Sequence, residues 1–227
     1  MSELKLVSPL LDQMSVEEEI AGHNGCTCYA LRHVQSGERF VVKRISVPAS
    51  DLQVRALILS GAYQDDAAVH AYYGSVAEDI KNELDTGMRL AENGYFAGAS
   101  SYPIEPKESG IGYDVYILYP RMVSLRAFLD HSAMTGLRAV NLGIDLCDAL
   151  TACRDAGYLF ENLKPENVFL TQSGRFLLGD LGLAPLEDLQ YASVPENYLG
   201  PYSAPELSAI TASPNPTIDL YAVGMLL

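Results

Sequence analysis

Short apolar runs broken by turn residues dominate the first half of the chain, and apolar positions at helical spacing dominate the second. Ile20–Leu31 reads as strand, turn, strand, with Gly22 and Gly25 as turn glycines. Gln35-Ser36-Gly37-Glu38 is a hairpin turn leading into Arg39-Phe-Val-Val-Lys43, a strand with one inward lysine. Residues 47–74 fit two short helices, Asp51–Ser60 and Asp65–Tyr73. Ser75-Val-Ala-Glu78 has the form of a capping box. The helix it opens carries Ile80, Leu84, Met88 and Ala91 on one stripe and ends near Gly94. Ala99–Ile104 and Tyr113–Tyr119 read as strands, and Ser124–Asp130 as a short helix. Leu137–Ala156 is a long helix with Leu142, Leu146, Ala149, Leu150 and Cys153 on one side. Val168–Leu170 and Arg175–Leu178 are two short strands about a Gln-Ser-Gly turn, and a last apolar helix follows Thr217.

Composition narrows what these elements can do. The 227 residues make one large domain or two small ones, and at 48% hydrophobic they can bury a sizeable core. A net charge of −14 argues against a nucleic-acid surface, which needs a basic stripe. Cys26, Cys28, Cys147 and Cys153 are too few and too irregular for a disulfide framework, which fits a reducing cytoplasm. Cys26 and Cys28 share a strand face, but no matching His or Cys pair follows to complete a metal site. No stretch reaches the ~18 apolar residues of a membrane span, and no signal peptide opens the chain. Residues 1–19 read as a mixed lead-in in which Glu17-Glu18-Glu19 forms a solvated face.

The chemistry concentrates between Tyr158 and Gly182. A polar loop, Asn162-Leu-Lys164-Pro-Glu-Asn167, precedes the two short strands, and Asp180-Leu-Gly182 closes the unit. Ala204-Pro205-Glu206 follows. This order closely resembles the catalytic core of the protein kinase superfamily, with its H-R-D-x-K-x-x-N loop, D-F-G triplet and A-P-E triplet. The resemblance implies an α+β, two-lobed protein-kinase-like fold. A small antiparallel sheet with one main helix would occupy residues 1–120, with 47–74 as an insertion. A mostly helical, incomplete second lobe would occupy 121–227. It also implies ATP and Mg²⁺ as cofactors, with Asn167 and Asp180 at the two metal positions, where amide and carboxylate oxygens suit a hard cation. Lys164 matches the lysine that steadies the transferring phosphate. Lys43 matches the strand lysine on the α- and β-phosphates, with Glu83 as its helix partner. Cys28 and Val41 would lie above the adenine and Phe169 below it. Tyr119 would guard the back of the pocket, in a hinge that continues through Pro120 and Arg121. Asp219 matches the aspartate that ties down the catalytic-loop backbone.

The departures are as informative. Phe160-Glu161-Asn162 stands where the family has His-Arg-Asp, so the catalytic aspartate position holds an asparagine. An amide accepts a hydrogen bond but has no useful basicity, and general-base help is worth about 10²–10⁴-fold. Glu161 removes the arginine that would grip an activation-segment phosphate. Leu199 replaces the threonine that bonds the catalytic aspartate, and the family's three loop glycines fall on Ala21, His23 and Cys26. The segment is therefore either a phosphate cover or a plain strand–turn–strand. The implied function is a pseudokinase-type, Mg-ATP-binding module with a protein partner or substrate. The alternatives are a slow Ser/Thr protein kinase and a scaffold that binds no nucleotide.

Overall fold

The computed structural model describes residues 10–23, 25–108, 110–157, 159–160, 163–179, 200–208 and 216–227. The chain is α+β and divides into two compact units, Met1–Asn82 with Ala99–Arg121, and Glu83–Gly98 with Met122–Leu227.

The first unit is built on a five-stranded antiparallel sheet. After a single helical turn, α1 (Leu10–Gln13), come β1 (Met14–His23), β2 (Cys26–His33) and β3 (Arg39–Val47), with β4 (Ile104–Pro106) and β5 (Tyr113–Pro120) later in the chain. Their spatial order is β1-β2-β3-β5-β4. The β2–β3 connection is the expected hairpin, with Gly37 at φ 72° and its N–H donating to the His33 carbonyl. Directly opposed residues share a face, so the register sorts the sheet in two. Tyr29, Leu31, Val42 and Leu118 point to one side and form a core with Leu10, Met14 and Tyr116. On that same side Arg44 pairs with Asp114 at 2.8 Å, and the Ser46 hydroxyl donates to the other Asp114 oxygen at 2.6 Å. Burial works against the Arg44 charge, but the Asp114 hydrogen bond and carboxylate outweigh it and raise its pKa.

Three sequence expectations are corrected in this unit. The lead-in already belongs to the fold: β1 begins at Met14 and carries the glutamate run. The strand expected at Ala99–Ile104 is reduced to a single bridge, Ser101 to Leu118, before β4 starts at Ile104. The largest change concerns the helices. The first short helix is present as α2 (Asp51–Leu59), but the second is the opening of one continuous helix, α3 (Asp66–Ala91). Ser75 is therefore not an N-cap. Its hydroxyl bonds back to the Tyr72 carbonyl at 2.7 Å, one turn earlier in the same helix. Asp65 is the cap, its Oδ1 accepting the Ala68 N–H at 2.8 Å. The capping-box pattern lost because Val69, Tyr73, Val76, Ala77, Ile80 and Leu84 form one buried stripe across the supposed break.

In the second unit, β6 (Val123–Ser124), β7 (Val168–Leu170) and β8 (Phe176–Leu178) form a small antiparallel sheet. Helices α4 (Leu125–His131), α5 (Gly136–Asp155) and α6 (Thr217–Leu226) surround it. Ser124 caps α4 and Thr135 caps α5, each through its hydroxyl. Leu125, Leu142, Leu146, Ala149, Val168 and Leu178 are all essentially inaccessible, each contributing about 1.5–3 kcal/mol where the side chain is large. Burial, then the Asp219 charge, pushes the Cys153 thiol up to about 12. Helix α6 buries Ile218, Ala222 and Val223 and leaves Leu220, Tyr221 and Met225 exposed.

A continuous α3 has a direct consequence. A Cβ on Gly74 meets only the Tyr113 hydroxyl, at an ordinary 3.7 Å. Gly74→Ala should therefore stabilise the protein by about 0.5–1 kcal/mol, and Asp65→Ala should destabilise it by about 1 kcal/mol, in urea denaturation. A helix broken at Ser75 would give the opposite sign for Gly74→Ala.

Candidate functional site

The sheet groups several predicted site residues by register alone. Cys28, Lys43 and Ile117 are directly opposed across β2, β3 and β5, as are Ala30, Val41 and Tyr119. Cys28, Val41, Lys43 and Tyr119 therefore share one face, the side away from Val42 and Leu31. Lys43 is only 8% exposed, and an ammonium at that depth is stable only when its charge is compensated. Val41 and Tyr119 are half-buried beside it. Glu83 is half-buried on α3, one position before the fully buried Leu84.

Residues 20–31 pair as the end of β1 and the start of β2, and Gly22, expected in the turn, lies inside β1 opposite Thr27. Gly25 has φ 82°, and a Cβ there would come within 2.5 Å of the Ala49 Cβ. Its N-terminal neighbour Asn24 lies outside the described residues. Gly25 is thus needed for its backbone angle and its close approach to residue 49, and its carbonyl accepts the Ser46 N–H at 2.7 Å.

Arg121, at the expected hinge, is held by β1 and β3. Its guanidinium lies 3.9 Å from a Glu17 oxygen and 3.7 Å from a Glu18 oxygen, and its N–H donates to the Arg39 carbonyl. A β-bulge makes this double contact. Val16 pairs Leu31 and Glu18 pairs Ala30, so Glu17 is the extra residue and two successive carboxylates reach one arginine. The glutamate run thereby holds the end of β5.

In the second unit the loop residues are fixed by backbone bonds. Lys164 precedes a 3-10 turn, Pro165–Asn167, closed by the Asn167 N–H donating to the Lys164 carbonyl at 2.9 Å. Asn167 is 3% exposed, and its carbonyl accepts the Gly179 N–H at 2.8 Å. That bond joins the turn to the residue immediately before Asp180. On the other side of β8, Leu178 exchanges bonds with the Tyr95 carbonyl and the Ala97 N–H. The Phe176 N–H donates to Asp145 Oδ2 at 2.8 Å, which ties the start of β8 to α5. Phe160, in the histidine position, is 3% exposed within the helical core, and its N–H donates to Asp219 Oδ2 at 3.1 Å. The Asp219 role that the resemblance implied is thus present as a bond to loop backbone.

Phe169 packs on backbone. Its ring lies against Gly179 so closely that a Cβ at 179 would be 2.3 Å from Cε2. Gly179, unremarked in the sequence pattern, is the residue that lets the ring and the strand end coexist. Its place just before Asp-Leu-Gly was the available signal. Asn162, Asp180, Glu161, Leu181 and Leu199 lie outside the described residues. Among the described residues no group of three or more His, Cys, Asp or Glu side chains converges as a metal site.

No family model matches the chain. It is 23% identical over 153 residues to a probable serine/threonine-protein kinase PknB of Corynebacterium glutamicum, covering 66% of this chain and 24% of that protein. It is 32% identical over 81 residues to cyclin-dependent kinase-like 1 of Caenorhabditis elegans, covering 35% of this chain and 22% of that protein. It is 33% identical over 107 residues to the serine/threonine-protein kinase PkaA of Streptomyces coelicolor, covering 45% and 20%. All three are protein kinases, and the likeness supports a place in the protein kinase superfamily. The chain spans about a quarter or less of the length of these relatives. No helix among the described residues is long and apolar enough to cross a membrane.

The Phe169–Gly179 contact is testable. Gly179→Ala should cost about 1–3 kcal/mol in urea denaturation, as overpacking does. Trimming the ring with Phe169→Leu should recover part of that loss, so the double variant should be less destabilised than the sum of the two singles.

Proposed function

We propose that this chain is a protein kinase-like domain that binds Mg-ATP, transfers phosphate poorly or not at all, and acts as a signalling or binding module for a protein partner. The observation that carries the reading is the buried Lys43 on one sheet face with Cys28, Val41 and Tyr119. The donor set fits the group it would hold. Lys43 and Lys164 are cations suited to phosphate, and Asn167 and Asp180 offer hard oxygen donors suited to Mg²⁺. When bound, Mg²⁺ neutralises charge on the phosphate oxygens. Val41 and Phe169 would contact the base, Tyr119 would limit the depth of the pocket, and Glu83 would orient Lys43.

The chain's own contribution to transfer is the weak part. Asn162 can orient a hydroxyl but cannot carry its proton away, which leaves about 3–5 kcal/mol of barrier unrelieved. The second reading, a slow Ser/Thr protein kinase, is favoured by one observation: the Lys164–Asn167 turn keeps its closed geometry.

A thermal melt with and without Mg-ATP tests binding. The native protein should gain about 2.7 kcal/mol at a hundredfold excess over Kd, and Lys43→Ala should gain nothing. A cooperative melt that Mg-ATP leaves unmoved would remove the nucleotide reading and favour a nucleotide-free scaffold. Activity separates the remaining two. If only the base is missing, Asn162→Asp should raise phosphoryl transfer to a protein hydroxyl by about 10²–10⁴-fold. A domain that also fails to seat substrate should stay inactive with the same change.

A further inference from the structure

β1 and β5 are not neighbours in the sheet, yet side chains from their ends meet. The strand order puts β2 and β3 between them. In a flat sheet three strand spacings would separate them by about 14 Å. Even so, the Arg121 guanidinium, directly after β5, lies 3.7 Å from a Glu18 oxygen and 3.9 Å from a Glu17 oxygen of β1. Two long side chains close such a span only by lying across the strands between them. Arg39 of β3 holds the middle, with its Nε 3.6 Å from the same Glu17 oxygen and its carbonyl accepting the Arg121 N–H. The register fixes the side of the crossing. Glu18 opposes Ala30, Ala30 opposes Val41, and Val41 opposes Tyr119, and directly opposed residues share a face. Arg39 stands two residues before Val41 on β3 and so belongs to the same face. The crossing therefore runs over the face that carries Cys28, Val41 and Lys43, at the level of Val41. Ala30, in that row, is fully inaccessible.

We propose that Glu17, Glu18, Arg39 and Arg121 form a strap that gates this face: it opens to let a nucleotide reach Val41 and Lys43 and closes behind it. The strength of the contacts fits a gate. The four side chains are 26% to 63% exposed, and an exposed ion pair shifts an equilibrium by no more than about fivefold. Three such contacts favour the closed strap and still let it open on thermal motion. A brace for the sheet would gain more from apolar packing, which the opposite face already supplies through Tyr29, Leu31, Val42 and Leu118. The chemistry also sets a sensitivity. The Debye length shrinks from about 10 Å at 0.1 M salt to about 3 Å at 1 M, so the strap loosens as ionic strength rises. That the gated ligand is a nucleotide rests on the function proposed above; the strap itself does not.

The test labels the full chain with iodoacetamide, a neutral reagent, and reads each cysteine by peptide mapping. Cys28 is half-buried on the gated face, and Cys147 is exposed on α5 and serves as the internal reference. Between about 0.05 M and about 1 M salt the Cys28-to-Cys147 rate ratio should rise about threefold or more. Arg121→Ala should show the high ratio already at the low salt, with no further rise. Arg121→Lys should lie between the two. Glu19→Gln, on the opposite face across from Tyr29, should behave as the native chain does. In stopped-flow binding, Arg121→Ala should also speed both association and release of Mg-ATP by about threefold. The inference is overturned if the native ratio does not respond to salt, if Arg121→Ala leaves it unchanged, or if Glu19→Gln moves it as far as Arg121→Ala does. Faster Cys28 labelling with unaltered Mg-ATP kinetics would overturn the gating of nucleotide. Failure of the underlying function looks different: Mg-ATP would then bind neither chain while the Cys28 response persists, which strikes out the nucleotide and keeps the strap.

Discussion

One hydrogen bond organises the second half of the molecule: the Gly179 N–H donating to the Asn167 carbonyl. It joins a turn of three residues to the end of a three-residue strand, elements too short to be stable alone. Everything near it serves to keep the two in register. Leu178 is held by the segment after α3, Phe176 by Asp145, and Phe160 by Asp219. Each of these partners is a backbone group or a carboxylate supplied by a helix. A buried bond of this kind is worth only about 0.5–1.5 kcal/mol net, yet leaving its groups unpaired costs more. The loop is therefore fixed by penalties against breaking it.

That arrangement separates what holds the loop from the chemistry that position 162 supplies. The aspartate of the family is a chemical group, and removing it changes a barrier. The bonds around Asn167 and Gly179 are structural, and removing them would change the fold. The same division holds in the sheet. Lys43 stays buried on its face, while the turn before β2 uses Gly25 for contact with Ala49.

Much of this was legible in the residues, because the strong signals are local. The hairpin at Gly37, the strand β5, the short helix that begins at Ser124 and the apolar side of α5 follow from turn chemistry and periodicity. The order of Lys164, Asn167 and Asp180 is local too. What escaped was set by tertiary context. Ser75-x-x-Glu78 is a sound capping pattern, but a buried stripe running through it decided for one helix. The bulge that turns Glu17 and Glu18 onto Arg121, the clash that forces glycine at 179, and the meeting of Arg126 with Tyr202 all depend on segments far apart in sequence. No window of one strand or helix contains them.

The most direct measurement is amide hydrogen exchange at Gly179 and Phe160 in the native protein and in Asn162→Asp. If buried backbone bonds hold the loop, both amides should exchange as slowly as core amides of β8, and the substitution at 162 should leave them unchanged. Exchange at Gly179 near the rate of an unstructured peptide, beside a protected Leu178, would contradict that. So would protection that appears only when the aspartate is restored, since the loop would then depend on the very side chain this chain has lost.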